Sequence, residues 1–209
     1  LDGNATNVGK PAMYQSVNFS PDGQYMMAST VSKPYSYQVP VQSFPSELNL
    51  LDASGTLVKQ LQKASTGGGG GGFGGATGPG PRGYQWRNDA PSTLVYSQAV
   101  PKADPKSREE TGDDIYLLAA PFTGEAKKFY TTSASFSGME WGNEKYALVK
   151  EASRTARTSK TTLIDPQTGA VIKVIADGSS EDTYKNPGRF IYTKNQFGEN
   201  VLLFDKGNT

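Results

Sequence analysis

Residues 139–175, MEWGNEKYALVKEASRTARTSKTTLIDPQTGAVIKVI, constrain the fold more than any other stretch. An aromatic run at 139–141 turns through Gly142-Asn143 into a second apolar run at 146–150. A polar link at 151–160 leads to a strand at 161–165, the turn Pro166-Gln167-Thr168-Gly169, and a returning strand at 170–175. The turn has a mechanism: Pro pre-sets φ, and Gly accepts a conformation other residues resist. Four short antiparallel strands follow one another, and no segment of the chain keeps a helical period over about ten residues.

The unit repeats. Residues 84–99 (YQWRNDAPSTLVYSQA) give the same aromatic strand, polar turn and second strand, and 114–130 give the outer hairpin with Phe122-Thr123-Gly124 at its turn. Residues 17–30 (VNFSPDGQYMMAST) and 47–61 (ELNLLDASGTLVKQL) form the same pair again. Phe19, Trp86 and Trp141 open the three units and are expected at equivalent positions between sheets, because aromatic rings fill inter-sheet space well. A recurring four-strand unit of about 40 residues is a propeller pattern, since one blade cannot bury both of its faces alone. The expected class is therefore all-β: a partial β-propeller of antiparallel four-stranded blades over residues 1–209, with roughly four blade-like units by that repeat length. Residues 190–205 supply only the inner hairpin of the fourth unit, so the chain reads as a fragment. Open propeller pieces expose sheet faces and edges, so self-association of the fragment is expected as a way to cover them.

Two connections stand out. Residues 31–46 carry Pro34, Pro40 and Pro45 with Tyr35, Tyr37 and Phe44, which bars a central strand and leaves an extended loop. Residues 65–83 (STGGGGGGFGGATGPGPRG) are low-complexity. That run loses too much entropy on ordering to pack a core, and it reads as a flexible insert. It lacks the Gly-Lys-Ser/Thr ending that a phosphate-binding loop requires. A charged loop at 100–113 holds the pair Glu109-Glu110, a solvated loop or a grip for a substrate amine.

Composition removes several chemistries. The sequence has 21 Lys plus Arg against 20 Asp plus Glu, a net charge of +1. That balance gives no electrostatic case for nucleic acid or an anionic membrane. With no Cys and no His, a disulfide, a Cys/His metal site and a His-based triad are all ruled out within these residues. No cofactor or metal is expected. No apolar run reaches the roughly 18 residues of a membrane helix. The absence of Cys is compatible with an oxidising compartment but does not demand one, and an exported protein of the bacterial periplasm is the expectation.

The segments YQSVNFSPDGQYMM, SKPYSYQVPVQSFPSELNLLDASGTLVKQL, YQWRNDAPSTLVYSQA, DIYLLAAPF, SRTARTSKTTLID and SSEDTYKNPG resemble the propeller region of glutamyl-endopeptidase-like members of the prolyl oligopeptidase family. The resemblance covers most of residues 10–188. It implies a serine peptidase whose C-terminal α/β-hydrolase domain carries a Ser-Asp-His triad. No Gly-x-Ser-x-Gly elbow occurs in these 209 residues, so no catalytic residue carries over to any position here. The family loop carries Arg more often than the Lys33 found here, a change that would weaken a bidentate carboxylate contact.

Three functions follow from this reading. The first is a non-catalytic propeller region that gates peptide access to the absent hydrolase domain and adds substrate contacts. The second is a stand-alone propeller-like interaction or ligand-binding module. The third, an enzyme in its own right, suffers from the lack of His. An acidic side chain needs a fixed cation, and Arg matches a carboxylate best. Arg154 and Arg157, in the polar link of the third unit, are therefore candidate substrate contacts, with Lys33 and Tyr35 in the corresponding link of the first. The same residues also suit plain surface cations bonded to neighbouring strands.

Overall fold

The computed structural model describes residues 7–35, 37–38, 40–41, 44–63, 80–102, 104, 110–179, 182 and 188–204. Fourteen strands, and no α-helix, occur among the described residues. Sheet 1 has the order β1 (Tyr14–Phe19), β2 (Tyr25–Val31), β3 (Ser46–Asp52), β4 (Leu57–Gln62). Sheet 2 is β5 (Arg82–Trp86), β6 (Thr93–Ala99), β7 (Asp113–Ala119), β8 (Lys127–Thr131). Sheet 3 is β9 (Ser135–Trp141), β10 (Ala147–Ser153), β11 (Thr158–Ile164), β12 (Val171–Ser179). Sheet 4 is the two-stranded pair β13 (Tyr192–Lys194) and β14 (Asn200–Leu202). All neighbours are antiparallel. Each of the six hairpins read in the sequence is present.

Alternation along the strands explains how the sheets stack. Successive residues point to opposite faces. Leu94 of β6 therefore joins Met27, Leu50, Trp86, Leu118 and Phe122 in a core between sheets 1 and 2. Its neighbour Val95 joins Ile115, Phe129, Met139, Trp141, Val149 and Ile164 in a core between sheets 2 and 3. Sheet 2 is thus buried on both faces, with Leu94, Val95 and Ile115 fully buried. Burying each such side chain is worth about 1.5–3 kcal/mol. Sheets that pack face to face in chain order, each an antiparallel four-stranded meander, are the blades of a partial β-propeller.

The β1–β2, β3–β4, β5–β6, β7–β8, β9–β10, β11–β12 and β13–β14 turns lie at one end of the sheets, the turn end, and the β2–β3, β6–β7 and β10–β11 connections at the other, the link end. Polar fasteners close the turn end. Asp22 accepts hydrogen bonds from the Ser92 hydroxyl at 2.7 Å, joining sheets 1 and 2. Arg87 is buried, with its guanidinium 4.1 Å from the Trp141 ring. It pairs with Asp89 at 2.8 Å and donates to the Pro166 carbonyl at 3.1 Å, joining sheets 2 and 3. Asn195 Nδ2 donates to the Asn88 carbonyl at 2.7 Å, so sheet 4 reaches back to sheet 2. Gly169 closes the β11–β12 turn at φ +76, where a Cβ would stand 2.3 Å from the Phe129 carbonyl oxygen.

Two expectations need correction. Trp86 and Trp141 are buried between sheets, but Phe19 is 59 % exposed. It ends β1 as Trp86 ends β5 and Trp141 ends β9, yet no described sheet precedes sheet 1 to cover it. The link expected at 151–160 is also much shorter. Glu151 pairs with Lys160 and Ser153 with Thr158 inside the ladder, leaving only residues 154–157 to turn. The cause is the small and β-branched residues on both sides, which continue the pleat. The Gly-rich stretch 65–83 lies mostly outside the described residues, as does Glu109.

Candidate functional site

The link end carries the candidate residues. Lys33 and Tyr35 follow β2 and are exposed; the Tyr35 ring lies 6.0 Å from Phe44. Arg154 and Arg157 are exposed on the β10–β11 turn. Both pairs project from corresponding links at the same end, on sheets 1 and 3, with sheet 2 packed between those sheets. Arg157 adopts φ 52, a left-handed conformation that lets so short a turn close.

Glu110, from the β6–β7 loop of sheet 2, reaches this turn. Its carboxylate accepts the Ser153 hydroxyl and, at 3.2 Å, the Arg154 N–H. The Ser153 hydroxyl oxygen also accepts the Ala156 N–H at 2.9 Å. These donors hold Glu110 below the usual carboxylate range: the Ser153 hydroxyl does most, partial burial works against it, and backbone and hydroxyl contacts from Thr155 add to the lowering. The pair Glu109-Glu110 therefore has one member engaged with the neighbouring link, while the other lies outside the described residues.

Two carboxylates support the link end from inside. Glu151 is buried and accepts hydrogen bonds from the Ser133 N–H (2.6 Å), the Ser133 hydroxyl (2.7 Å) and the Ala134 N–H (2.9 Å), with Lys160 at 3.5 Å. Burial raises its pKa, but these donors outweigh burial and the net direction is down. Asp113 is equally buried; it pairs with Arg82 and accepts the Phe136 N–H at 2.8 Å. Asp113 ties β7 of sheet 2 to β9 of sheet 3, and Glu151 ties β10 to the β8–β9 connection.

Beside the turn, a cavity of about 540 Å³ opens between sheets 3 and 4, lined in part by Lys150, Lys160, Asp177, Arg189, Phe190 and Tyr192. Its lysines already have partners: Lys150 pairs with Glu140, and Lys160 with Glu151. Tyr192 donates to Glu140 at 2.6 Å, and burial, then this carboxylate, push its pKa up to about 12. Such a tyrosine stays protonated at neutral pH. Among the described residues no group of three or more His, Cys, Asp or Glu could hold a metal ion.

No family model matches the chain. It is 30% identical over 205 residues to a probable chloroplastic glutamyl endopeptidase of Oryza sativa subsp. japonica, covering 97% of this chain and 22% of the relative. Along nearly its whole length the chain is similar to this probable glutamyl endopeptidase. A second relative of the same description, from Arabidopsis thaliana, is also 30% identical, covering 97% of this chain and 21% of the relative. The chain therefore spans about a fifth of the length of these relatives. A solved Pyrococcus horikoshii acylaminoacyl peptidase is 20% identical over 82% of this chain and 26% of that one, with a TM-score of 0.44. So distant a likeness adds nothing to the fold, which rests on the sheets themselves.

Sequence reasoning missed Glu110 as a ligand of the third unit's turn, and missed Glu151 and Asp113 altogether.

Proposed function

We propose that this chain is the non-catalytic propeller portion of a serine peptidase of the prolyl oligopeptidase family, and that its link end faces peptide substrate. The observation that carries the reading is the relation to glutamyl endopeptidases along nearly the whole chain. The arrangement of the sheets fits it. Buried polar contacts fasten both ends of the sheets, and the link end carries the exposed Arg154, Arg157, Lys33 and Tyr35. Function concentrates on loops held by a rigid scaffold. In this role the blades restrict entry of peptides to a C-terminal α/β-hydrolase domain of the same parent protein, and Arg154 and Arg157 contact acidic side chains, with Lys33 and Tyr35 on the same rim.

The test uses the parent peptidase. Arg154→Ala and Arg157→Ala are made separately, and kcat/KM is measured on substrates with Glu or Gln before the scissile bond. An arginine that reads the carboxylate loses about 1.5–3 kcal/mol of transition-state binding on the Glu substrate and little on the Gln one. Equal losses on both substrates, or none, remove these arginines from the site.

A further inference from the structure

The Glu110 contact has the form of a bound ligand. A carboxylate from the β6–β7 connection sits on the β10–β11 turn and is held by the Ser153 hydroxyl and the Arg154 N–H. Consecutive backbone N–H groups and hydroxyls converging on one anion are a nest. Sheet pairing does not use these donors, because the ladder ends at Ser153 and Thr158. The turn is positioned without Glu110: seven consecutive residue pairs of β10 and β11 fix its stem, and the Ser153–Ala156 bond braces it internally. Glu110 itself is exposed and comes from a connection, not from a strand.

We propose that the β10–β11 turn is a carboxylate-binding site and that Glu110 occupies it as an internal competitor of acidic peptides. The site takes a side-chain carboxylate: two oxygens are met by a hydroxyl and a backbone N–H, and a neutral amide would present its own donors to donors. The competitor is tethered, so it acts at an effective concentration in the millimolar range and holds off weak free anions. A peptide that brings further contacts along the link end displaces it. The acidic peptide as ligand rests on the functional reading above; the carboxylate site rests on the Glu110 geometry alone.

The test titrates the 209-residue chain, labelled with nitrogen-15, with a capped Ala-Glu-Ala peptide and its Ala-Gln-Ala analogue, following the amide signals of Arg154 and Thr155. Glu110→Ala empties the site and Glu110→Gln keeps its shape without its charge; the Trp86 and Trp141 indole signals report that each variant is folded. The expected result is that both variants bind the Glu peptide at least tenfold more tightly than the unaltered chain and ignore the Gln peptide. Adding Ser153→Ala to Glu110→Ala is expected to reverse the gain. Unchanged affinity in both variants, or equal responses to the two peptides, overturns the proposal. Tight Glu-peptide binding here, together with unaltered kinetics of the arginine variants, would keep this site and discard the substrate-contact role of Arg154 and Arg157.

Discussion

The indole N–H of Trp86 donates to the main-chain carbonyl of Asn18 at 3.0 Å, so the first strand of sheet 2 is pinned to the first strand of sheet 1. The ring at the same time fills the apolar core between the two sheets. Trp141 repeats the placement one sheet later, packing under Arg87 and 6.2 Å from Phe129. Phe19 holds the third such position and is exposed, with no covering sheet among the described residues.

These three aromatics should respond very differently to truncation. Trp86→Ala and Trp141→Ala are expected to cost about 3–5 kcal/mol each, as large core truncations do. Phe19→Ala is expected to stay within about 0.5 kcal/mol, as surface substitutions do. Trp86→Phe keeps most of the apolar area but loses the bond to Asn18, for about 1 kcal/mol. Urea unfolding midpoints of the 209-residue chain check the order. Equal costs at all three positions would contradict the assigned stacking.

Arg87 uses its whole fork. Nε and Nη2 meet Asp89, Nη1 meets the Pro166 carbonyl, and the plane covers Trp141. Lysine cannot reproduce this geometry. Arg87→Lys is therefore expected to destabilise nearly as much as Arg87→Ala, by about 2–3 kcal/mol for a charged group with buried partners. Recovery of most of the stability by Lys would show that charge alone matters there.

Acid should loosen the link end through Glu151. Its folded pKa lies below the ordinary value of 4.5, despite burial, because Ser133, Ala134 and Lys160 stabilise the charged form. A depressed carboxylate contributes stability that is fully present above its unfolded pKa and is lost as pH falls through the folded one. The unaltered chain is thus expected to lose stability as pH drops below 4.5, and Glu151→Gln to show a shallower acid slope from a lower starting stability. Thermal unfolding at a series of pH values reads both. An identical slope in the variant would discard Glu151 as the acid-sensitive group.

Removing residues 67–75 from the Gly-rich run is expected to leave stability almost unchanged, because closure entropy grows only logarithmically and each doubling of loop length costs about 0.6 kcal/mol. A fall in melting temperature of many degrees on deletion would mean that the run packs.

The strands were legible because Gly and Pro punctuate each turn and the apolar residues alternate between them. Residues such as Asp22-Gly23 and Pro166–Gly169 mark turns by local chemistry alone. Sheet-to-sheet contacts were less legible. Alternation assigns Leu94 and Val95 to opposite faces but cannot say what lies beyond either face. Phe19 was misjudged for that reason: its pairing with Met26 is regular, and only a neighbouring sheet decides its burial. The width of the third link was misjudged because polar residues such as Thr158, Ser159 and Lys160 read as a loop, although β-branched and small side chains there continue the ladder with β10. The carboxylate clamps of Glu110, Glu151 and Asp113 join residues far apart in sequence, and no local pattern announces them. Strand counting puts Arg154, Arg157, Lys33 and Tyr35 at one end of the sheets, but it does not fix the direction of a side chain.

The central claim is that this chain lends access and contact to a peptidase and carries no chemistry of its own. The direct measurement exposes the purified 209-residue chain and the parent peptidase, side by side, to a serine-reactive fluorophosphonate and to a Glu-containing peptide. The account predicts labelling and cleavage by the parent, with neither from the chain alone. Inhibitor-sensitive cleavage by the pure chain would contradict it, because nucleophile and base would then have to lie within residues that contain no His.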